Sequence, residues 1–109
     1  MIDFSIFETP CFVVDEVLLK CNLKLLSHIQ KSTGAKILLA LKGFAMHSSA
    51  AIVKQYLAGT CASSPHEARL GREEFGGEVH SFAAAYSDGD FDELLELSDH
   101  IVLNSMSQY

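Results

Sequence analysis

Lys42 is the residue whose setting most invites a chemical reading. It ends the run Ile37-Leu38-Leu39-Ala40-Leu41-Lys42, in which five apolar residues precede a single amine. Apolar surroundings favour the neutral form of a lysine, and a neutral primary amine attacks an aldehyde to form a Schiff base. The same placement also suits a lysine that only closes a strand and lets its charge reach water. Choosing between the two requires the rest of the chain.

Other reactive side chains are placed less suggestively. Cys11, Cys21 and Cys61 are odd in number, far apart and form no C-x-x-C, so neither a disulfide framework nor a zinc knuckle is indicated. Cys61, His66 and His80 do not have the spacing of a compact zinc site. His28, His47, His66, His80 and His100 are scattered over helices and strand edges, where packed or solvated histidines are expected. No metal site is expected. Asp88-Gly89-Asp90-Phe91-Asp92-Glu93 alternates acids like a calcium loop, but its sixth position is Glu93 where glycine is required, so helix capping explains it better. Gly71 and Gly76-Gly77 fit neither phosphate-loop pattern. Ser48-Ser49 and Ser63-Ser64 fall near strand ends where a phosphate could be held, yet helix caps need the same residues.

The elements that must position Lys42 alternate regularly. Short apolar runs at Cys11–Val14, Ile37–Leu41, Thr60–Ala62, Val79–Ala84 and His100–Leu103 read as strands. Between them lie helical stretches. The first, about Glu16 to Lys31, has Asp15 to cap it, a stripe of Leu18, Cys21, Leu25, Leu26 and Ile29, and Gly34 beyond its end. The second runs from about Ser49 to Leu57. The third opens with Ser64 as cap, Pro65 at the first helical position and Glu67 completing a capping box, and it closes at Gly76-Gly77. A fourth starts near Asp88 or Asp90 and carries Phe91, Leu94, Leu95 and Leu97.

From Ile37 onward the strand-to-strand unit is about 20 residues, and near-continuous apolar strands alternating with helices predict a parallel α/β sheet. Two architectures fit: a doubly wound sheet, or the first half of an eight-stranded (β/α)8 barrel, which needs about 250 residues. Alternation along the first such strand sets Leu38, Ala40 and Lys42 on one face and Ile37, Leu39 and Leu41 on the other. If the Lys42 face lines a barrel, its amine emerges at the C-terminal mouth above small Ala40.

Bulk properties bound the setting. The 109 residues are 49% hydrophobic, more than a core of this size encloses, which points to part of a larger fold. The net charge of −6 without a basic cluster disfavours nucleic acid and anionic membranes and suits a cationic small molecule. MIDFSIFETP has acids where a signal peptide has bases, and no apolar run reaches the roughly 18 residues that span a bilayer. A cytoplasmic location without membrane partners is expected.

Several stretches carry a family resemblance. Ala40-Leu41-Lys42-Gly43-Phe44-Ala45 resembles the segment of the alanine-racemase-like, pyridoxal-phosphate-dependent decarboxylases in which the first barrel strand ends in the cofactor lysine. Four further stretches narrow the resemblance to the carboxynorspermidine and carboxyspermidine decarboxylases. These are Thr9-Pro10-Cys11-Phe12-Val13-Val14-Asp15, then Ala62-Ser63-Ser64 with Glu67-Ala68-Arg69-Leu70-Gly71, then Phe75-Gly76-Gly77-Glu78-Val79-His80, and finally Ser98-Asp99-His100-Ile101-Val102-Leu103-Asn104-Ser105. They occur in order and cover almost the whole chain.

The resemblance implies that residues 1–109 are an N-terminal part of the cofactor-binding barrel. It implies that Lys42 binds pyridoxal 5'-phosphate covalently and later serves in proton transfer, and that the substrate is a carboxylated polyamine. Ser63 and Glu67 match a second-strand segment that lies near the cofactor, with Glu67 helping to orient the lysine; the capping box gives Glu67 a structural role that can hold at the same time. Thr60 stands where related ornithine decarboxylases commonly carry an acid, so no acidic contact is carried over there. The stacking histidine, the glycine-rich phosphate loop, the acid paired with the pyridine nitrogen and the C-terminal β-domain all come later in this family, whose members are homodimers with shared sites. The chain alone is therefore expected to be inactive. Two rivals are another decarboxylase of the same barrel type, acting on diaminopimelate or ornithine, and a non-catalytic α/β binding module.

Overall fold

The computed structural model describes residues 3–109. Met1 and Ile2, which open the stretch read as lacking a leader pattern, lie outside the described residues.

Helix α1 spans Glu16–Thr33, and both of its ends follow from single residues. Asp15 Oδ1 accepts from the Val17 N–H at 2.8 Å and the Leu18 N–H at 3.1 Å, satisfying two donors of the first turn. Gly34 takes the left-handed conformation, φ 75°, and its N–H closes on the Gln30 carbonyl. The face that packs is not the one expected. Leu18, Cys21, Leu25 and Ile29 are exposed, whereas Leu23 is buried and Leu19 packs beside it. Gln30 explains the rotation. Its amide accepts from the Ile37 N–H and donates to the Tyr56 carbonyl, each at 2.7 Å, and it can reach both only when the Leu19–Leu23 side of the helix faces the sheet.

Four parallel strands follow: β1 Leu38–Ala40, β2 Gly59–Ala62, β3 Glu78–Phe82 and β4 His100–Val102. Their order in the sheet is the order of the chain. A doubly wound sheet reverses direction at a switch point, whereas a barrel adds each strand beside the last, so this is a sector of barrel winding. β1, β3 and β4 end before their apolar runs do, whereas β2 and β3 begin one residue earlier than theirs, at Gly59 and Glu78. Cys11–Val14, expected as a leading strand, has no regular secondary structure and pairs with none of the described strands, and Phe12 is fully exposed.

The helices between strands show where turn chemistry governs. After β1, a 3-10 turn at His47–Ser49 leads into α2, Ala50–Val53, which is shorter than expected because the chain turns again before Leu57. Helix α3, Pro65–Leu70, starts as the capping box requires: Ser64 Oγ accepts from the Glu67 N–H at 3.3 Å and Glu67 Oε2 from the Ser63 N–H at 2.6 Å. It continues as a π-turn, Gly71–Phe75, that ends at Gly76. Helix α4, Asp88–Leu97, starts at the first of the two expected positions and is capped by Ser87.

All of these helices cover one face of the sheet. Leu23, Leu41, Ala50, Val53 and Phe75 form one buried cluster, and Ala62, Ala68, Val79 and Leu94 a second. The opposite face carries Leu38 and Ala40 from β1, Gly59 and Cys61 from β2, Glu78, His80 and Phe82 from β3, and His100 and Val102 from β4. No described element covers it. Among the described residues no helix is long and apolar enough to cross a membrane.

Candidate functional site

The open sheet face is where the reactive side chains collect. Leu39 and Leu41 pack among the helices, so alternation sends Leu38, Ala40 and Lys42 to the open side, as the sequence implied. Lys42 occupies the turn directly after β1, at its C-terminal end, where the Leu41 N–H is held by the Cys61 carbonyl at 3.0 Å. Its side chain is exposed. Nζ lies 5.7 Å from the centroid of the Phe82 ring, so the amine leans across β2 toward β3 above the small residues Ala40 and Cys61.

Phe82 is fixed from behind by the loop after β3. Tyr86 Oη donates to the Val102 carbonyl at 2.7 Å and accepts from the Ala83 N–H at 3.1 Å. Asn104 Nδ2 donates to the Ala83 carbonyl at 2.6 Å. These bonds tie the chain that leaves β3 to the end of β4. Sequence reading had not singled out Phe82; its period-two spacing from His80 on an exposed face was the available signal.

Ser63 follows Ala62 at the C-terminal end of β2, on the strand between Lys42 and Phe82. Its N–H is engaged by Glu67, so the Glu67 carboxylate serves first to hold the β2–α3 turn. Lys42, Ser63 and Phe82 thus share the same end of three adjacent strands, while Glu67 braces that rim from α3. Two concavities, of about 370 Å³ and about 550 Å³, lie around α4 and the stretch after β4, and Lys42, Ser63 and Glu67 line neither. The lysine stands on an open wall formed, among the described residues, by four strands.

A second group lies toward the other end of the strands. His80 and His100 are register partners, with ring centroids 4.4 Å apart. His80 Nε2 is 3.0 Å from Glu78 Oε2, and Lys36 pairs with the other carboxylate oxygen. The Lys36 ammonium, and then the His80 imidazole, hold the Glu78 carboxyl below its ordinary value. The histidines looked scattered in sequence. The 20-residue difference between positions 80 and 100 equals one strand-to-strand repeat, and that was the signal that sets them side by side.

A parallel β/α sector wound in chain order, with an amine at the carboxyl end of its first strand, defines an α/β barrel segment with a candidate covalent-catalysis site. Comparison with known proteins narrows the class. The chain is 40% identical over 102 residues to a carboxynorspermidine/carboxyspermidine decarboxylase of Herminiimonas arsenicoxydans, covering 94% of this chain and 28% of the relative. It is 43% identical over 105 residues to a carboxyaminopropylagmatine decarboxylase of a Synechocystis species, covering 96% and 27%. The crystal structure of carboxynorspermidine decarboxylase complexed with norspermidine from Campylobacter jejuni superposes with a TM-score of 0.89 at 38% identity, covering 94% of this chain and 28% of that one. No protein-family model matches the chain. The chain is a homologue of one segment of these decarboxylases and spans little more than a quarter of their length.

Proposed function

We propose that this chain is the lysine-bearing N-terminal part of the barrel of a pyridoxal-phosphate-dependent decarboxylase that acts on a carboxylated polyamine. The observation that carries the reading is the position of Lys42: an accessible amine at the C-terminal end of β1, on the face the helices leave open. The names of the relatives support the substrate class. The net charge of −6 favours a cationic substrate and product over an anionic one.

The residues fit the cofactor at one point, the amine. Lys42 would hold pyridoxal phosphate covalently through Nζ. When bound, that group supplies an electron sink for the carbanion left as carbon dioxide departs. Lys42, at the accessible end of β1, would also be the residue placed to return a proton there. Phe82 gives its side chain an apolar rest, and Ser63 offers a hydroxyl from the neighbouring strand. Glu67 keeps the Ser63 turn in shape. On this reading the phosphate-binding and substrate-binding groups, a C-terminal β-domain and a dimer partner would complete the site in an intact, cytoplasmic enzyme.

Borohydride trapping tests the assignment. The chain is incubated with pyridoxal phosphate, reduced, digested and sequenced by mass spectrometry. The reading requires the pyridoxyl mass on Lys42 in preference to Lys20, Lys24, Lys31, Lys36 and Lys54, and its loss in Lys42→Ala. Uniform labelling of all lysines would overturn it, and so would release of carbon dioxide from carboxynorspermidine by Lys42→Ala in an intact enzyme.

A further inference from the structure

We propose that Glu78, His80 and His100 form a binding site for a divalent transition-metal ion of the zinc type, on the open sheet face and apart from the lysine. Their donor atoms lie within 4.8 Å of one another. Two come from one strand and the third from its neighbour, so the backbone register alone assembles the set: Glu78 and His80 are two residues apart on β3, and His80 is paired with His100 on β4. No loop needs to close.

The chemistry of the donors selects the ion. Two imidazoles and one carboxylate suit zinc, nickel or cobalt, whereas magnesium and calcium prefer an all-oxygen shell. An ion about 2.1 Å from each donor in tetrahedral geometry needs donors about 3.4 Å apart. Glu78 Oε2 and His80 Nε2, at 3.0 Å, are already near that spacing. His100 is exposed on β4, and its donor lies within 4.8 Å of the other two. Three protein donors leave a fourth position for water or an external ligand.

The neighbours of the site set its strength. Lys36 pairs with Glu78 Oε1, leaving Oε2 for an ion but placing a competing positive charge beside it. Cys61 is the β2 partner of His80 in the same row, yet its sulfur is not among the clustered donors. Asp99, next to His100 in the chain, is occupied by the Val79 N–H and Arg72. Removal of Lys36 should therefore strengthen metal binding, an effect that a purely structural Glu78–His80–His100 contact would not produce.

The test is titration of the 109-residue chain with zinc ion, at a concentration where sedimentation velocity shows it monomeric, paired with visible absorption of the cobalt-loaded chain. One ion per chain is expected. His80→Gln and His100→Gln should each weaken it by about tenfold or more, in keeping with losses seen when metal-site groups are removed. Lys36→Met should tighten it, and His66→Gln should leave it unchanged. His100→Gln alters an exposed side chain, so loss of binding with unchanged circular dichroism supports the site even if His80→Gln unfolds. No stoichiometric binding, or binding indifferent to both His80→Gln and His100→Gln, would overturn it.

Discussion

The ammonium of Lys42, carried on the turn after β1, rests 5.7 Å from the ring centroid of Phe82 on β3, so the contact bridges two strands over β2. In barrels of this winding each interior layer draws its side chains from alternate strands. Lys42 and Phe82 stand in that relation, which is why a large ring and a long amine meet above a strand presenting only Cys61 and Gly59 on the same side. A cation over an aromatic face at an exposed site contributes about 0.5–1 kcal/mol, enough to bias where the amine points. Phe82→Leu should release it. With the lysines carbon-13 dimethylated, the Lys42 resonance is expected to lose its ring-current displacement in that variant while the other lysine signals stay in place; an unmoved signal would mean the two do not meet in solution.

Asp99 joins the two strands beyond. Its Oδ2 accepts from the Val79 N–H at 2.8 Å and from Arg72 Nη2 at 2.9 Å, while Arg72 also donates to the Leu97 carbonyl at the end of α4. The Val79 N–H, and then Arg72, hold the carboxyl below the ordinary 3.8. Because the folded value is the depressed one, the stabilisation is present above the unfolded value and is lost as pH falls through the folded value. Urea unfolding should show wild type and Asp99→Asn diverging near neutral pH and converging under acid. Asp99→Ala should cost more, about 1–3 kcal/mol for leaving the N–H of fully buried Val79 unpaired, toward the low end because the carboxylate is 40% exposed. Equal curves for all three proteins at neutral pH would refute the role.

Gly71 is required by contact rather than by backbone freedom. A Cβ there would stand 2.4 Å from Thr60 Oγ1, a buried hydroxyl oxygen with no hydrogen-bond partner among the described residues. Gly71→Ala should therefore destabilise by about 1–3 kcal/mol, the usual result of overpacking a close contact. Thr60→Ala removes the obstructing atoms, and the double variant should recover part of the loss. Strict additivity in that cycle would show that the clash is relieved elsewhere.

How much of this was legible depended on whether a residue acts locally. Asp15 and Gly34 bound α1 through bonds within a few positions, and Ser64, Pro65 and Glu67 start α3 the same way, so composition and spacing were enough. The rotation of α1 was not legible, because Gln30 sets it by reaching Ile37 and Tyr56, the latter 26 positions away. Two apolar stripes were present and periodicity could not rank them. Cys11–Val14 has the composition of a strand, but a strand also needs a partner, and none of the described strands pairs with it. The position of Lys42 at the end of the first paired strand was legible from its run. The company it keeps, Phe82 across the sheet, and the meeting of His80 with His100 became visible only once the register was known.

The surface of the chain leads to a last prediction. A folded monomer of 11.9 kDa ordinarily exposes about 5,900 Å², whereas this one exposes 7452 Å². Its radius of gyration is 16.1 Å, against about 13 Å for a compact domain of this length. The excess has identifiable sources: the unpaired segment with Phe12, the Leu18–Leu25–Ile29 stripe of α1, and the sheet face from Leu38 to Val102. Unpaired outer edges on β1 and β4 add hydrogen-bonding groups that another chain can complete. The isolated chain should therefore associate at micromolar concentration, and its urea transition should shift with protein concentration. Charged substitutions that spare the helix-side core, such as Leu25→Glu together with Val102→Lys, should reduce association without lowering helix content. Sedimentation velocity decides: a concentration-independent monomer with a sharp unfolding transition would mean that four strands and their helices suffice as a domain, and that the open face is stable in water as it stands.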